Sequence, residues 1–88
     1  MSGQFEHFKE KREKYVARGV GNGNLHVADK AQGATITDVD GHTFIDFAGA
    51  IGTLNVGHTH PEITKYLKEK LDKFIHPGFN VMMYESYL

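Results

Sequence analysis

The histidine pair His58 and His60 is the arrangement best suited to chemistry in this sequence. In an extended chain, side chains two residues apart point to the same side, so both imidazoles could bind one metal ion. The alternative is structural: His60 caps a helix that starts at Pro61, and His58 fills a turn. We favour the structural role and predict no metal site. A metal site would need a third ligand from one of three residues: His42, His76 or Asp46.

Other residues that often carry chemistry do not combine into a catalytic set. The glycine run Gly19–Gly23 lacks the G-x-G-x-x-G spacing and the G-K-[ST] ending of phosphate-binding loops, so it predicts a linker. Asp46 is the one carboxylate of its region that no turn or strand end explains, and we expect it to bond nearby backbone. The two serines, Ser2 and Ser86, stand at opposite ends of the chain, which makes a serine triad implausible. The residues therefore predict no complete catalytic site.

Composition narrows the class of protein further. With 88 residues the chain forms at most one small domain, and its 40% hydrophobic residues are ordinary for a globular protein. The net charge of −1 comes from 10 basic and 11 acidic residues that alternate along the sequence, so we expect no nucleic-acid partner. There is no cysteine, no long apolar run and no apolar signal core. We therefore expect no membrane partner and a cytoplasmic location.

Hydrophobic spacing predicts an α+β fold that positions these residues. The expected order is an N-terminal helix, a three-stranded antiparallel meander and an amphipathic helix. Pro61 marks the first turn of the second helix, and its apolar stripe runs to Phe74. The predicted segments are a helix at 1–18, a Gly-rich linker at 19–24, the meander at 25–48, a loop at 49–60, a helix at 61–75 and a connection at 76–88.

The dipeptide Asp40–Gly41 predicts the hairpin inside the meander. Asp-Gly between alternating strands favours a two-residue type I′ turn, because both central residues of that turn need positive φ. With this turn, Ile36 faces Ile45 and Ala34 faces Phe47, and these four residues share one side of the sheet.

A longer string of residues resembles a known family. The string runs Asp-Val-Asp-Gly from Asp38, then Phe-Ile-Asp-Phe-Ala-Gly from Phe44, then Leu-Asn-x-Gly-His-x-His-Pro up to Pro61. It resembles the N-terminal region of class III aminotransferases, which use pyridoxal phosphate, and it is most similar to the 4-aminobutyrate aminotransferases. The likeness extends from Ala17 to Leu88. It implies part of the small domain of a fold type I pyridoxal-phosphate transferase, in a protein several-fold longer than this chain.

The resemblance also implies a function for the longer protein. It would move an amino group from an omega-amino acid, such as 4-aminobutyrate, to 2-oxoglutarate, and it would form homo-oligomers. The family's cofactor-binding lysine and aspartate belong to a domain that follows segment 76–88, so we expect no catalytic or cofactor-binding residue in this chain and no activity from it alone. The alternative is a stand-alone binding or interaction domain that kept the family's sequence without its chemistry.

Two substrate-binding residues follow from the resemblance. Ile51, in the loop 49–60, matches a position that contacts the carbon chain of the substrate, and Asn80 matches a position that is usually glutamine in the bacterial 4-aminobutyrate enzymes. Ala50 stands where members of the family often have glycine, and Gly52 stands where they often have alanine. These two departures suggest a slightly reshaped pocket wall.

Overall fold

The computed structural model describes residues 3–88 and confirms the predicted α+β order. Met1 and Ser2, the first residues of the predicted segment 1–18, lie outside the described residues. The three strands form one antiparallel sheet and are arranged in the order of the sequence. The elements are α1 (Gln4–Tyr15), β1 (Ala28–Gln32), β2 (Thr35–Asp38), β3 (Thr43–Ile45), a single left-handed turn at Gly49–Gly52, α2 (Pro61–Leu71) and a 3-10 turn at Glu85–Tyr87.

Helix α1 ends at Tyr15, and its last turn fixes the glycine-rich segment that follows. Val16 is extended, with φ −94° and ψ 131°. The Arg12 guanidinium donates from Nε to the side-chain oxygen of Asn22 at 2.7 Å and from Nη2 to the backbone oxygen of Val20 at 2.6 Å. The segment predicted to be a linker is therefore folded back and bonded to α1.

The structure corrects the predicted register of the hairpin. β2 and β3 pair Ile36 with Phe44 and Thr37 with Thr43. The predicted partner of Ile36 was Ile45, one residue further along β3. Because successive side chains of a strand alternate between faces, this shift moves Phe44 to the side of Ile36 and Ile45 to the opposite side.

The loop that joins β2 to β3 explains the shift. The backbone N–H of Asp38 donates to the His42 oxygen at 2.9 Å, so the loop has three residues, Val39–Gly41. Within it only Gly41 has positive φ, at 88°, whereas a type I′ turn requires two such residues. Oδ1 of Asp38 accepts from the N–H groups of Asp40 at 3.0 Å and His42 at 2.8 Å. This side-chain turn outweighs the preference of the Asp-Gly dipeptide.

Asp38 is the charged residue that this hairpin buries, with 4% of its surface exposed. Burial raises the pKa of the carboxyl, but hydrogen bonds from His42, His26 and Asp40 outweigh burial and hold the pKa well below its usual range. Asp38 is therefore ionised at neutral pH and is a strong acceptor in the hairpin.

Strand β1 starts three residues after the beginning of the predicted meander at 25–48. That prediction begins at Leu25, whereas the first strand covers Ala28–Gln32. The side-chain oxygen of Asn24 accepts from the N–H of His26 at 2.9 Å, and this local turn competes with strand pairing. β1 then pairs with β2, with a register irregularity between Ala28 and Lys30.

The second helix is shorter than the predicted 61–75 and leads into an aromatic cluster. α2 ends at Leu71, and the Phe74 N–H bonds back to the Lys70 oxygen at 3.3 Å. Beyond it, Tyr84 lies 5.6 Å from both Phe74 and Phe79, measured between ring centroids. Phe79 in turn lies 4.4 Å from Tyr87. These rings fold the segment 76–88 onto the end of α2.

The described residues bury very little apolar surface. Phe5, at 9% exposure, is the one buried hydrophobic side chain within residues 3–88. The principal extents are 43 × 29 × 24 Å, and neither α1 nor α2 packs on the sheet. Among the described helices, none is long and apolar enough to cross a membrane. Several apolar side chains are largely exposed: Phe47, Ile51, Ile75, Val81 and Leu88.

Candidate active-site loop

The loop after β3 contains a turn of unusual backbone conformation at Gly49–Gly52. All four residues have positive φ: Gly49 at 54°, Ala50 at 51°, Ile51 at 60° and Gly52 at 80°. A left-handed residue other than glycine costs about 1–2 kcal/mol, and a β-branched residue there is a genuine outlier. Ile51 is 96% exposed, so packing within this chain does not offset that cost. Such strain is often found at functional sites.

Asp46 fixes the start of this turn through its carboxylate. Oδ1 accepts from the N–H groups of Ala48 at 3.0 Å and Gly49 at 2.9 Å. Oδ2 lies 2.6 Å from Nε2 of His58. The prediction that Asp46 bonds nearby backbone is confirmed, and the structure adds an aspartate–histidine pair that the sequence analysis missed.

The same contacts set the charge of Asp46. The hydrogen bond from the Gly49 N–H, followed by that from the His58 side chain, lowers the pKa of this carboxyl against a smaller opposing effect of burial. Asp46 is therefore an anion at neutral pH. As an anion it is a strong acceptor for the two backbone N–H groups and for His58.

His58 is anchored to the sheet by a two-bond bridge to Gly33. The Gly33 N–H donates to the His58 oxygen at 3.0 Å, and the His58 N–H donates to the Gly33 oxygen at 2.8 Å. Next to it, the Thr59 hydroxyl donates to the Ala31 oxygen at 2.6 Å. The loop 49–60 is thus closed at both ends, by β3 on one side and by the turn between β1 and β2 on the other.

His58 and His60 do not form the metal-binding pair that the sequence allowed. Thr59 between them has φ 50°, so the chain is not extended there and the two rings do not share a side. Nδ1 of His60 instead accepts from the Glu62 N–H at 3.3 Å, as the cap of α2. The predicted capping role of His60 is confirmed, whereas His58 lies in the bridge to Gly33 and not in a turn.

Comparison with known proteins then decides the family. The sequence profile described as Aminotransferase class-III matches residues 15–88, which is most of the chain. This chain belongs to the class III aminotransferases. The match includes the Gly49–Gly52 turn, the Asp46–His58 pair and segment 76–88.

Two aminotransferases of similar sequence show how this chain relates to longer proteins. A probable 4-aminobutyrate aminotransferase of Bacillus subtilis (strain 168) is 54% identical over 81 residues, which are 92% of this chain and 19% of that protein. The 5-aminovalerate aminotransferase DavT of Pseudomonas aeruginosa is 42% identical over 88 residues, which are 100% of this chain and 21% of that protein. The chain spans about a fifth of the length of these relatives.

A solved structure supports the same assignment. The acetylornithine aminotransferase from Elizabethkingia anophelis superposes with a TM-score of 0.74 at 29% identity, over 90% of this chain and 22% of that one. The described residues therefore have the fold of part of a fold type I aminotransferase.

The two substrate-binding residues implied by the resemblance have different settings in this aminotransferase segment. Ile51 projects from the strained turn, whereas Asn80 is exposed in a turn in which Val81 and Met82 donate to the Gly78 oxygen at 2.9 and 3.1 Å. Among the described residues, no hydrogen bond joins Ile51 to Asn80. Their shared role in substrate binding stays a prediction.

The lysines of this aminotransferase segment are exposed or half-buried within the described residues. A lysine that forms a Schiff base is usually desolvated so that its amine is uncharged. The lysines within residues 3–88 lie on α1, on β1, on α2 and just beyond α2, and none of them is buried. The described part of the chain therefore does not fit pyridoxal phosphate by itself.

Proposed function

We propose that the complete protein containing this segment transfers an amino group from an omega-amino acid, 4-aminobutyrate or a close homologue, to 2-oxoglutarate. The observation that carries the proposal is Ile51, an exposed aliphatic side chain held on a strained turn. Membership of the class III family and likeness to relatives named for 4-aminobutyrate and 5-aminovalerate support it. Both of those donors are unbranched methylene chains with an amine at one end and a carboxylate at the other.

Ile51 forms one wall for the methylene chain of the donor in this proposal. An aliphatic wall excludes water and makes dispersion contacts with methylene groups, and it offers no partner to a second polar group. The turn is held by the two Asp46 bonds and by a 2.8 Å bond from the Thr53 hydroxyl to the Ala50 oxygen. The residue is therefore pre-organised before substrate arrives, which reduces the entropy lost on binding.

The remaining parts of the proposal concern the complete protein. Pyridoxal phosphate supplies the electron sink for the amino transfer and is bound outside this segment. The loop 49–60 lines the substrate pocket together with Asn80, and segment 76–88 leads toward the cofactor-binding domain. The segment alone is inactive. The complete protein is a cytoplasmic homo-oligomer in which other parts of the protein cover the exposed apolar faces described above.

The test is an activity assay on the complete protein with added pyridoxal phosphate. We expect glutamate to form from 2-oxoglutarate when 4-aminobutyrate or 5-aminovalerate is the donor, and to form more slowly when an α-amino acid such as alanine is the donor. The matched control is the isolated 88-residue segment, which should form no glutamate. A complete protein that forms glutamate from none of these donors would overturn the proposal.

A further inference from the structure

A cluster formed by His26, Asp38 and His42 lies at the turn end of the β2–β3 hairpin and has no role in the proposed amino transfer. Nδ1 of His26 is 2.8 Å from Oδ2 of Asp38, and Nδ1 of His42 is 2.9 Å from the same oxygen. The three atoms lie within 4.8 Å of one another. We infer that this cluster is a binding site for a divalent transition-metal ion of the Zn²⁺ type.

The donor set matches that class of ion. Two imidazole nitrogens and one carboxylate oxygen suit Zn²⁺ and its neighbours, whereas Mg²⁺ and Ca²⁺ prefer oxygen ligands alone. Ligand atoms at about 2.1 Å from one ion in tetrahedral geometry stand about 3.4 Å apart. The two observed nitrogen–oxygen distances of 2.8 and 2.9 Å are about 0.5 Å shorter than that value. Each imidazole therefore has to move about half an ångström away from Oδ2 for all three atoms to coordinate one ion.

The ligands are also held in place by the surrounding backbone. Oδ1 of Asp38 is occupied by the N–H groups of Asp40 and His42, which leaves Oδ2 directed at the two rings. The His26 ring lies 4.7 Å from the Phe44 ring, between centroids. The Val39 N–H donates to the Val27 oxygen at 2.9 Å and ties the segment of His26 to the hairpin. These contacts orient the ligands as outer partners do in metal sites.

Solvent access completes the site. The side chain of Asp38 is 3% exposed, but those of His26 and His42 are 30% and 56% exposed. An ion can therefore enter from water and keep water molecules as its remaining ligands. When it binds, each neutral imidazole coordinates through Nδ1 with its proton on Nε2, so the ion takes the place of the two hydrogen bonds to Oδ2. The bound ion then connects the segment before β1, which contains His26, to the β2–β3 hairpin.

The test is Zn²⁺ binding to the complete protein after removal of metals with a chelator, measured by competition with a chromophoric chelator. Glutamine can still donate a hydrogen bond to Asp38 but is a poor ligand for Zn²⁺, so His26→Gln and His42→Gln separate coordination from hydrogen bonding. Loss of a residue that only supports a ligand lowers metal affinity about 10- to 100-fold, so we expect each variant to lose at least that much Zn²⁺ affinity. His76→Gln is the matched control, since His76 lies outside the cluster.

The expected result is one Zn²⁺ per chain that both cluster variants weaken and the control retains. In addition, Co²⁺ should give a visible absorption band in the unsubstituted protein that both cluster variants lose. Equal Zn²⁺ affinity in all four proteins would overturn the inference, as would the absence of binding to the unsubstituted protein. In either case the cluster has only a structural role as a set of hydrogen bonds.

Discussion

Replacing Gly57 with alanine tests how the loop 49–60 is held on the sheet. Gly57 has φ 81°, and a Cβ atom there would lie 3.0 Å from the Gly33 oxygen and 3.3 Å from the Gly33 Cα. The neighbour is backbone that is itself fixed by the Gly33–His58 bridge, so it cannot move without loosening that bridge. The substitution should therefore open the bridge that anchors His58.

The size of the effect follows from these contacts. The left-handed backbone costs an alanine about 1–2 kcal/mol. Relief of the close contact loosens the bonds of 3.0 and 2.8 Å between Gly33 and His58. Each such bond contributes about 0.5–1.5 kcal/mol. A total of roughly 2–5 kcal/mol corresponds to a roughly 30- to 4,000-fold rise in the local opening constant.

Amide hydrogen exchange of the complete protein, followed by mass spectrometry, measures that opening at the Gly33 and His58 amides. Two alanine variants provide controls. Gly41 has φ 88° but an added Cβ meets nothing within 4 Å, so Gly41→Ala should speed exchange only in its own hairpin loop. Gly19 has neither a positive φ nor a close neighbour, so Gly19→Ala should leave exchange at the Gly33 and His58 amides unchanged. The reasoning is refuted if exchange at Gly33 and His58 is no faster in Gly57→Ala than in Gly41→Ala.

Three further predictions follow from the loop and from the exposed apolar surface. Ala50→Gly removes the cost of holding an alanine in left-handed backbone and should stabilise the complete protein by about 0.5–1 kcal/mol. Gly52→Ala introduces that cost and should destabilise the complete protein by about 1–2 kcal/mol. Opposite shifts in Tm for the two variants check both expectations. Asp46→Asn should lower Tm at pH 7, because the folded state lowers the pKa of Asp46 and its carboxylate therefore stabilises the fold. This stability is fully present above the ordinary pKa of 3.8 and is lost as the pH falls through the lowered pKa. The difference in Tm from the unsubstituted protein should shrink in that acidic range, and a constant difference would contradict the assignment. The isolated segment should self-associate through its exposed apolar residues, and a clean monomer by light scattering at high concentration would contradict this.

The order of elements was predictable because it depends on spacing along the sequence. Pro61 and the apolar stripe that follows predicted α2, and alternation around the Asp-Gly dipeptide predicted a hairpin there. The hairpin register was not predicted, because it depends on which backbone N–H groups the Asp38 carboxylate accepts. An aspartate two residues before the Asp-Gly pair is a signal for such a side-chain turn, and it could have favoured the longer loop.

The site was less predictable than the fold. Asp46 and His58 are 12 residues apart, and so are His26 and Asp38, so no local spacing rule joins them. The left-handed conformation of Ala50 and Ile51 contradicts their intrinsic preferences, and no sequence pattern indicates it. For Ile51 the resemblance supplied a role, whereas the structure supplied its exposure and its strain.

The most direct test of the proposed function compares kcat/KM for 4-aminobutyrate and for ornithine in the complete protein and its Ile51→Tyr variant. Ile51 is 96% exposed within this segment, so the change should act on substrate rather than on the fold of the segment. An overfilled apolar wall costs about 1–3 kcal/mol, so kcat/KM for 4-aminobutyrate should fall about 5- to 150-fold. The value for ornithine should fall less or rise, because the tyrosine hydroxyl can bond its second amino group. Equal losses for both donors would contradict the placement of Ile51 in the substrate wall.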